Sequence, residues 1–199
     1  VQATRNLHYL IGLADPLRHP RVGQSDTAES PADHIPSGMP LQQSLNGRFG
    51  LGDVDPLVPD LHNRRESPKL IVDLVREHPQ EIRILTFGPL TNVAMALDLA
   101  PDLPLLLNGI VCLGGAMRQD GDVTPVAEFN MWSDPQAARA VMRSPIGKIL
   151  VPLDVSNEPG LTFDDVDRLS GLIPSTPVGE FVIGLLQFAT RANRQFLPR

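Results

Sequence analysis

Three short apolar runs dominate what this chain can fold into: IRILTF (82–87), GIVCLG (109–114) and KILVPL (148–153). Each has the length of a strand, and Gly or polar residues and then helical spacing follow it. Strand, helix, strand, helix, strand with short connections predicts an α/β fold with an open, mainly parallel sheet flanked by helices. In such sheets ligands bind beyond the carboxyl ends of the strands. That rule points to 88–92, 114–130 and 154–157, which are also the segments richest in Gly and polar residues.

Helix signals fill the gaps between the runs. Ser67-Pro68 reads as an N-cap with Pro at the first helical position, and Leu70, Ile71, Leu74 and Val75 supply an apolar face through Glu77. Thr91 caps or opens the next helix, which carries Val93, Ala94 and Leu97 and stops at Pro101. Asp134-Pro135 starts another by the same cap-plus-Pro logic, which leaves 115–133 as a loop. Two further helices are predicted near 163–171 and 177–196. The first opens on DDVD (164–167) after Thr162, where carboxylates favour the helix dipole. At the other end of the chain, 2–13 reads as an amphipathic helix with Leu7, Leu10 and Ile11 on one face.

Between Ala14 and Asp60 the pattern dissolves. Pro accounts for 20 of the 199 residues, about twice the usual share, and this stretch holds much of it. Such a length of irregular chain is expected to be a functional loop or poorly ordered. The chain as a whole suits one domain with a substantial core. A formal net charge of −6 and no basic cluster make nucleic acid a poor partner. No apolar run approaches the roughly 18 residues of a membrane span. The single Cys112 excludes an internal disulfide and a Cys-based zinc cage, and within IVCLGG it reads as a small buried thiol. The chain opens on Val1 rather than Met, inside a predicted helix, and no signal peptide is visible. The expectation is one incomplete domain over 1–199, from a cytoplasmic protein.

Two segments carry the candidate chemistry. In GPLTN (88–92) the Gly-Pro pair turns the chain sharply, and Thr91 and Asn92 can satisfy the first free amides of the following helix. The same turn could offer backbone carbonyls to a hard cation. In LGGAMRQDGDVTPVAEFN (113–130), Gly114-Gly115 let the backbone pass close to a neighbour. Asp122, Thr124, Glu128 and Asn130 follow, and on an extended segment Glu128 and Asn130 face the same way. Carboxylates and amides converging on one crevice suit a polyhydroxylated ligand, because hydroxyls need both acceptors and donors. The alternative is a solvated loop in which Asp122 and Glu128 face water.

Taken together, GPLTN (88–92), LGGA (113–116), GDVTPVAEFN (121–130), Asp134-Pro135 with Ala137-Ala138, and LDVS (153–156) resemble the nucleoside hydrolase family, the inosine–uridine-preferring N-ribohydrolases. TRNL (4–7) and GLGD (50–53) resemble further parts of its pattern. The resemblance implies an α/β domain that cleaves the N-glycosidic bond of ribonucleosides to free base and ribose, with a calcium ion at the strand ends. By resemblance, Thr91 gives its main-chain carbonyl to calcium and Leu113 stands near the ribose. Glu128 and Asn130 bond ribose hydroxyls with Phe129 between them, and Asp122 takes the place of a family Asn that contacts the sugar. The family commonly forms homo-oligomers.

The chain also departs from that pattern. The family's aspartate-rich first strand and its late His-Asp pair have no counterpart here, so no general base is assigned within this chain and the chain alone is expected to be inactive. Asp122 adds a charge close to Glu128, and like charges sharing a site raise one pKa. Asn46 stands where the family often has His. These departures keep open a catalytically inactive nucleoside- or sugar-binding relative. An unrelated α/β hydrolase has no support, since G-x-S-x-G, P-loop and G-x-G-x-x-G patterns are all missing. His8, His19, His34, His62 and His78 fall on no catalytic position of the family and read as surface or packing residues.

Overall fold

The computed structural model describes residues 2–15, 17, 20–24, 45–57, 65–158 and 160–196. His19, His34, His62 and most of the proline-rich stretch lie outside the described residues. The chain divides into two compact units, one built on 22–31 and 65–159, the other on 1–21, 32–64 and 160–199.

The first of these units holds the sheet. Its elements in chain order are α2 (Ser67–Glu77), β1 (Arg83–Thr86), α3 (Thr91–Leu99), α4 (Leu103–Leu106), β2 (Gly109–Leu113), α5 (Phe129–Ser133), α6 (Pro135–Arg143), β3 (Lys148–Val151) and α7 (Leu153–Ser156). The strands lie in the order β1-β2-β3, all parallel, with Ile84 opposite Ile110 and Ile110 opposite Lys148. Parallel neighbours need a crossover, and the helices between the strands provide it. Alternate residues of each strand point to one face, where Ile84, Ile110, Cys112 and Leu150 meet Val75 of α2, Val93 of α3 and Val141 of α6. Cys112 is fully buried in this core, and burial pushes its thiol pKa up. The opposite face carries Leu85 and Ile149, each more than half exposed.

The helix starts agree with the expectation in part. The cap of α2 is Glu66 rather than Ser67, so Ser67 and Pro68 are both helical. Of the two roles expected for Thr91 it takes the second: it opens α3 without capping it, and uses its hydroxyl elsewhere. The expected loop 115–133 ends in a helical turn, α5, because the Glu128 carboxylate accepts the Met131 N–H and starts it. The Asp134 cap is as expected: its Oδ1 accepts the Ala137 N–H at 2.9 Å.

The second unit contains α1 (Gln2–Ala14), the segment 45–57, α8 (Phe163–Leu172) and α9 (Pro177–Phe196). TRNL and the glycine-rich turn meet here, through the Asn6 amide donating to the Phe49 carbonyl at 2.6 Å. Gly47 has φ 83°, and a Cβ there would lie 1.9 Å from the Gly52 carbonyl oxygen, so only glycine closes this turn. Asn46 is exposed, its carbonyl accepting the Gly52 N–H. DDVD does open a helix: Thr162 and Asp165 form a reciprocal capping box on α8.

Candidate functional site

The site is built at the carboxyl end of β2, around Gly114. A Cβ at Gly114 would lie 2.9 Å from Glu128 Oε2 and 3.4 Å from Asn130 Cβ, and the residue has φ 148°. Glycine therefore lets the two side chains close over the backbone at the point where the strand ends. Both are buried, Glu128 to 5% exposure and Asn130 to 8%. Glu128 Oε2 accepts the Gly115 N–H at 2.9 Å and the Met131 N–H at 3.1 Å. Asn130 Nδ2 donates to the Leu113 carbonyl at 3.1 Å and to the Phe87 carbonyl at 3.5 Å. Each side chain thus uses one polar atom to grip the strand ends. Glu128 Oε1 and Asn130 Oδ1 remain without a hydrogen-bond partner among the described residues.

The expected common orientation of Glu128 and Asn130 arises differently from the way the sequence suggested. Glu128 is extended, with φ −82° and ψ 151°, but Asn130 already lies in α5. It is the helical turn wrapping Gly114, rather than an alternating strand, that brings them together.

The other expected residues take distinct places. Leu113 is the last residue of β2 and gives its carbonyl to Asn130. Phe129 packs its ring against Trp132 at 6.4 Å between centroids, and its N–H goes to Asp122 Oδ1 at 2.8 Å. Asp122 itself faces solvent, whereas Glu128 does not. Partial desolvation raises the Asp122 pKa first, the Glu128 charge adds to this, and the Phe129 N–H opposes it. Thr91, half-buried at the start of α3, donates its hydroxyl to Asp134 Oδ2 at 2.6 Å.

Two further carboxylates, one expected only as a helix cap and one only as part of a motif, tie the site's loops together. Asp134, from the Asp-Pro pair, joins the turn after β1 to the cap of α6. Asp154, from LDVS, accepts the N–H groups of Met117 and Arg118 at 2.8 Å and of Gln119 at 3.3 Å, which holds its pKa below the usual carboxylate range. The Leu153 N–H also reaches the Gly115 carbonyl at 2.9 Å. The end of β3 thereby fixes the loop that presents Gly115 to Glu128.

Chemically, this wall can accept hydrogen bonds from a ligand's hydroxyls and place negative charge against a developing cation. A calcium ion takes six to eight oxygen ligands. Among the described residues no group of three or more His, Cys, Asp or Glu side chains stands close enough to hold a metal ion. By themselves they do not make a calcium site. No described helix is long and apolar enough to cross a membrane.

The chain resembles proteins that share this layout. The pyrimidine-specific ribonucleoside hydrolase RihA of Salmonella newport (strain SL254) is 38% identical over 120 residues, covering 60% of this chain and 38% of that protein. Uridine nucleosidase 1 of Arabidopsis thaliana is 34% identical over 169 residues, covering 84% of this chain and 48% of that protein. Among solved structures, a purine-preferring ribonucleoside hydrolase from Gardnerella vaginalis superimposes with a TM-score of 0.83 at 27% identity, over 99% of this chain and 61% of its own. A plant nucleoside hydrolase does so with a TM-score of 0.80 at 25% identity, over 98% and 59%. This chain spans less than two thirds of each of these relatives. The family model for inosine-uridine preferring nucleoside hydrolase matches residues 1–198, and the chain belongs to that family.

Proposed function

We propose that the protein to which these residues belong hydrolyses the N-glycosidic bond of ribonucleosides to free base and ribose, and that Glu128 and Asn130 form the wall that holds the ribose. The observation that carries this reading is the pair of uncommitted oxygens on two buried side chains flanking Gly114. Held on fixed side chains and open to solvent, these oxygens can accept hydrogen bonds from a sugar's hydroxyls, which are suitable donors. Cleavage of a C–N glycosidic bond builds positive charge on the ribose ring, as in other glycoside cleavage. A fixed carboxylate beside the ring stabilises that charge more than it stabilises the neutral substrate. Because Glu128 is already tied by two backbone N–H groups, it needs no reorganisation as the charge develops.

Asp122 sits beside this wall through Phe129 and adds a third acceptor at its edge. A calcium ion bound here, as the family resemblance implies, would draw its remaining ligands from outside the described residues, with Thr91 contributing at most one carbonyl. The substrate is a small-molecule nucleoside, and the protein assembles as a homo-oligomer.

The test is titration of the chain with uridine and inosine, with and without added calcium, alongside an assay for released ribose. The chain is expected to bind the nucleoside without turning it over. Glu128→Ala is expected to weaken binding about tenfold or more, the equivalent of about 1.4 kcal/mol. Absence of nucleoside binding by the wild-type chain under both conditions would overturn the reading. If the full-length protein also binds without turnover, the inactive binding relative is the correct one.

A further inference from the structure

Asp134 lies outside the ribose wall, yet it is wired to it. Capping α6 takes only one of its oxygens, Oδ1, on the Ala137 N–H. The other, Oδ2, accepts the Thr91 hydroxyl across 43 residues of sequence. Thr91 is free to make that bond because it caps nothing in its own helix. The short span from Glu128 to Asp134 is then fastened to the strand ends by Glu128 on Gly115, by Asn130 on Leu113 and, at 3.5 Å, on Phe87, and by Asp134 on Thr91 at the start of α3. The fastenings made by Glu128 and Asn130 belong to the wall. The Asp134 bond, at 2.6 Å against 3.5 Å for Asn130 on Phe87, is the shorter of the two ties between the end of the 88–91 turn and the wall.

The geometry points to Thr91 and Asp134 as a positioning pair that sets the β1–α3 turn against Glu128 and Asn130, so that nucleoside affinity depends on the Thr91 hydroxyl as well as on the wall. This rests on the proposed nucleoside-binding reading. Neither side chain needs to touch the ligand: the pair acts by holding two strand ends in register. A hydroxyl–carboxylate bond is short and charge-assisted, so it fixes orientation better than a neutral one.

Three variants of the full chain separate this role from a merely structural one. Thr91→Val keeps the shape and the main-chain carbonyl but deletes the hydroxyl, Thr91→Ser keeps the hydroxyl, and Asp134→Ser keeps a cap on α6 but is too short to reach Thr91. Uridine affinity is measured by titration at a temperature where circular dichroism shows each variant folded. Val75→Ala, in the fully buried core of α2, serves as a destabilised control away from the pair. Thr91→Val and Asp134→Ser are each expected to raise the uridine Kd about fivefold to tenfold. The double variant is expected to be no weaker than either single one, Thr91→Ser to bind as wild type, and Val75→Ala to keep its affinity. Wild-type affinity in Thr91→Val, or an equal loss in Val75→Ala, would overturn the proposal while leaving the nucleoside reading intact. Failure of the wild-type chain to bind uridine would instead remove the reading itself, and the proposal with it.

Discussion

Glu128 serves the fold and the proposed chemistry through different properties, and two substitutions pull these apart. Glu128→Ala strands the Gly115 and Met131 N–H groups. An unsatisfied buried donor costs about 1–3 kcal/mol. Water entering the space left by the truncated side chain recovers part of this, which puts the loss near 3 kcal/mol for the two donors together. Glu128→Gln keeps an oxygen where both N–H groups converge, so the loss is only the difference between charge-assisted and neutral hydrogen bonds, about 1 kcal/mol. With a urea slope of about 2 kcal/mol per molar, Ala lowers the unfolding midpoint by about 1.5 M and Gln by about 0.5 M.

Ligand binding follows the opposite logic. If the ribose is held by the carboxylate charge, Gln is nearly as damaging to uridine affinity as Ala, although it is far milder to the fold. Urea unfolding followed by circular dichroism gives the first ordering, and uridine titration gives the second. An unfolding midpoint for Glu128→Ala within about 0.3 M of wild type would refute the claim that these two hydrogen bonds are structural. Wild-type uridine affinity in Glu128→Gln would refute the claim that the charge is used.

Other residues give sharper local tests. Gly114→Ala places a Cβ 2.9 Å from Glu128 Oε2 at a backbone angle that side chains rarely adopt; overpacking of this kind costs about 1–3 kcal/mol, and uridine affinity is expected to fall with it, as thermal melts and titration would show. Asp122→Asn keeps the acceptor for the Phe129 N–H and removes the charge beside Glu128. Because the folded pKa of Asp122 is raised, its ionised form disfavours folding above that pKa and the penalty vanishes as pH falls through it. The variant is therefore expected to be the more stable at neutral pH, with the gap closing in acid; urea midpoints across the pH range that show a constant or reversed gap would contradict this. Asp154 has the opposite sign: its folded pKa is lowered by the loop N–H groups, so its contribution is present above the unfolded carboxylate pKa and is lost as pH falls through the folded one. Asp154→Ala is expected to abolish that acid dependence and to speed amide exchange at Met117 and Arg118, and unchanged exchange there would show that the carboxylate does not hold the loop.

What the sequence made legible was what short-range pattern encodes. IRILTF, GIVCLG and KILVPL announced the strands because unbroken apolar runs of strand length have few other uses, and only residues at their ends, Ile82 among them, were misjudged. Asp134-Pro135 announced a helix start because Asp caps well and Pro tolerates only the first turn. The helical turn Phe129–Ser133 was illegible for two physical reasons. Five residues are too few for a 3.6-residue period to register, and Glu is a less usual cap than Asp, Asn, Ser or Thr. The short α4 between Pro101 and Leu107 escaped for the first of these reasons. The Thr91–Asp134 bond joins residues 43 apart, so no local pattern could carry it. Glu128 and Asn130 were identifiable by family resemblance, but the way they face one another is a tertiary result.

That result has a consequence for how the site works. On an extended segment, Glu128 and Asn130 would be set apart by the strand repeat and free to swing. Wrapped around Gly114, each is instead anchored by a bond to the main chain at the end of β2, leaving one oxygen apiece without a partner for the ribose proposed above. The energy that folds the loop therefore also orients the acceptors, and the site is preorganised to the extent that the fold is stable. A change that loosens the loop without touching either side chain, such as loss of the Asp154 carboxylate, should then weaken ligand binding through the position of Gly115 alone.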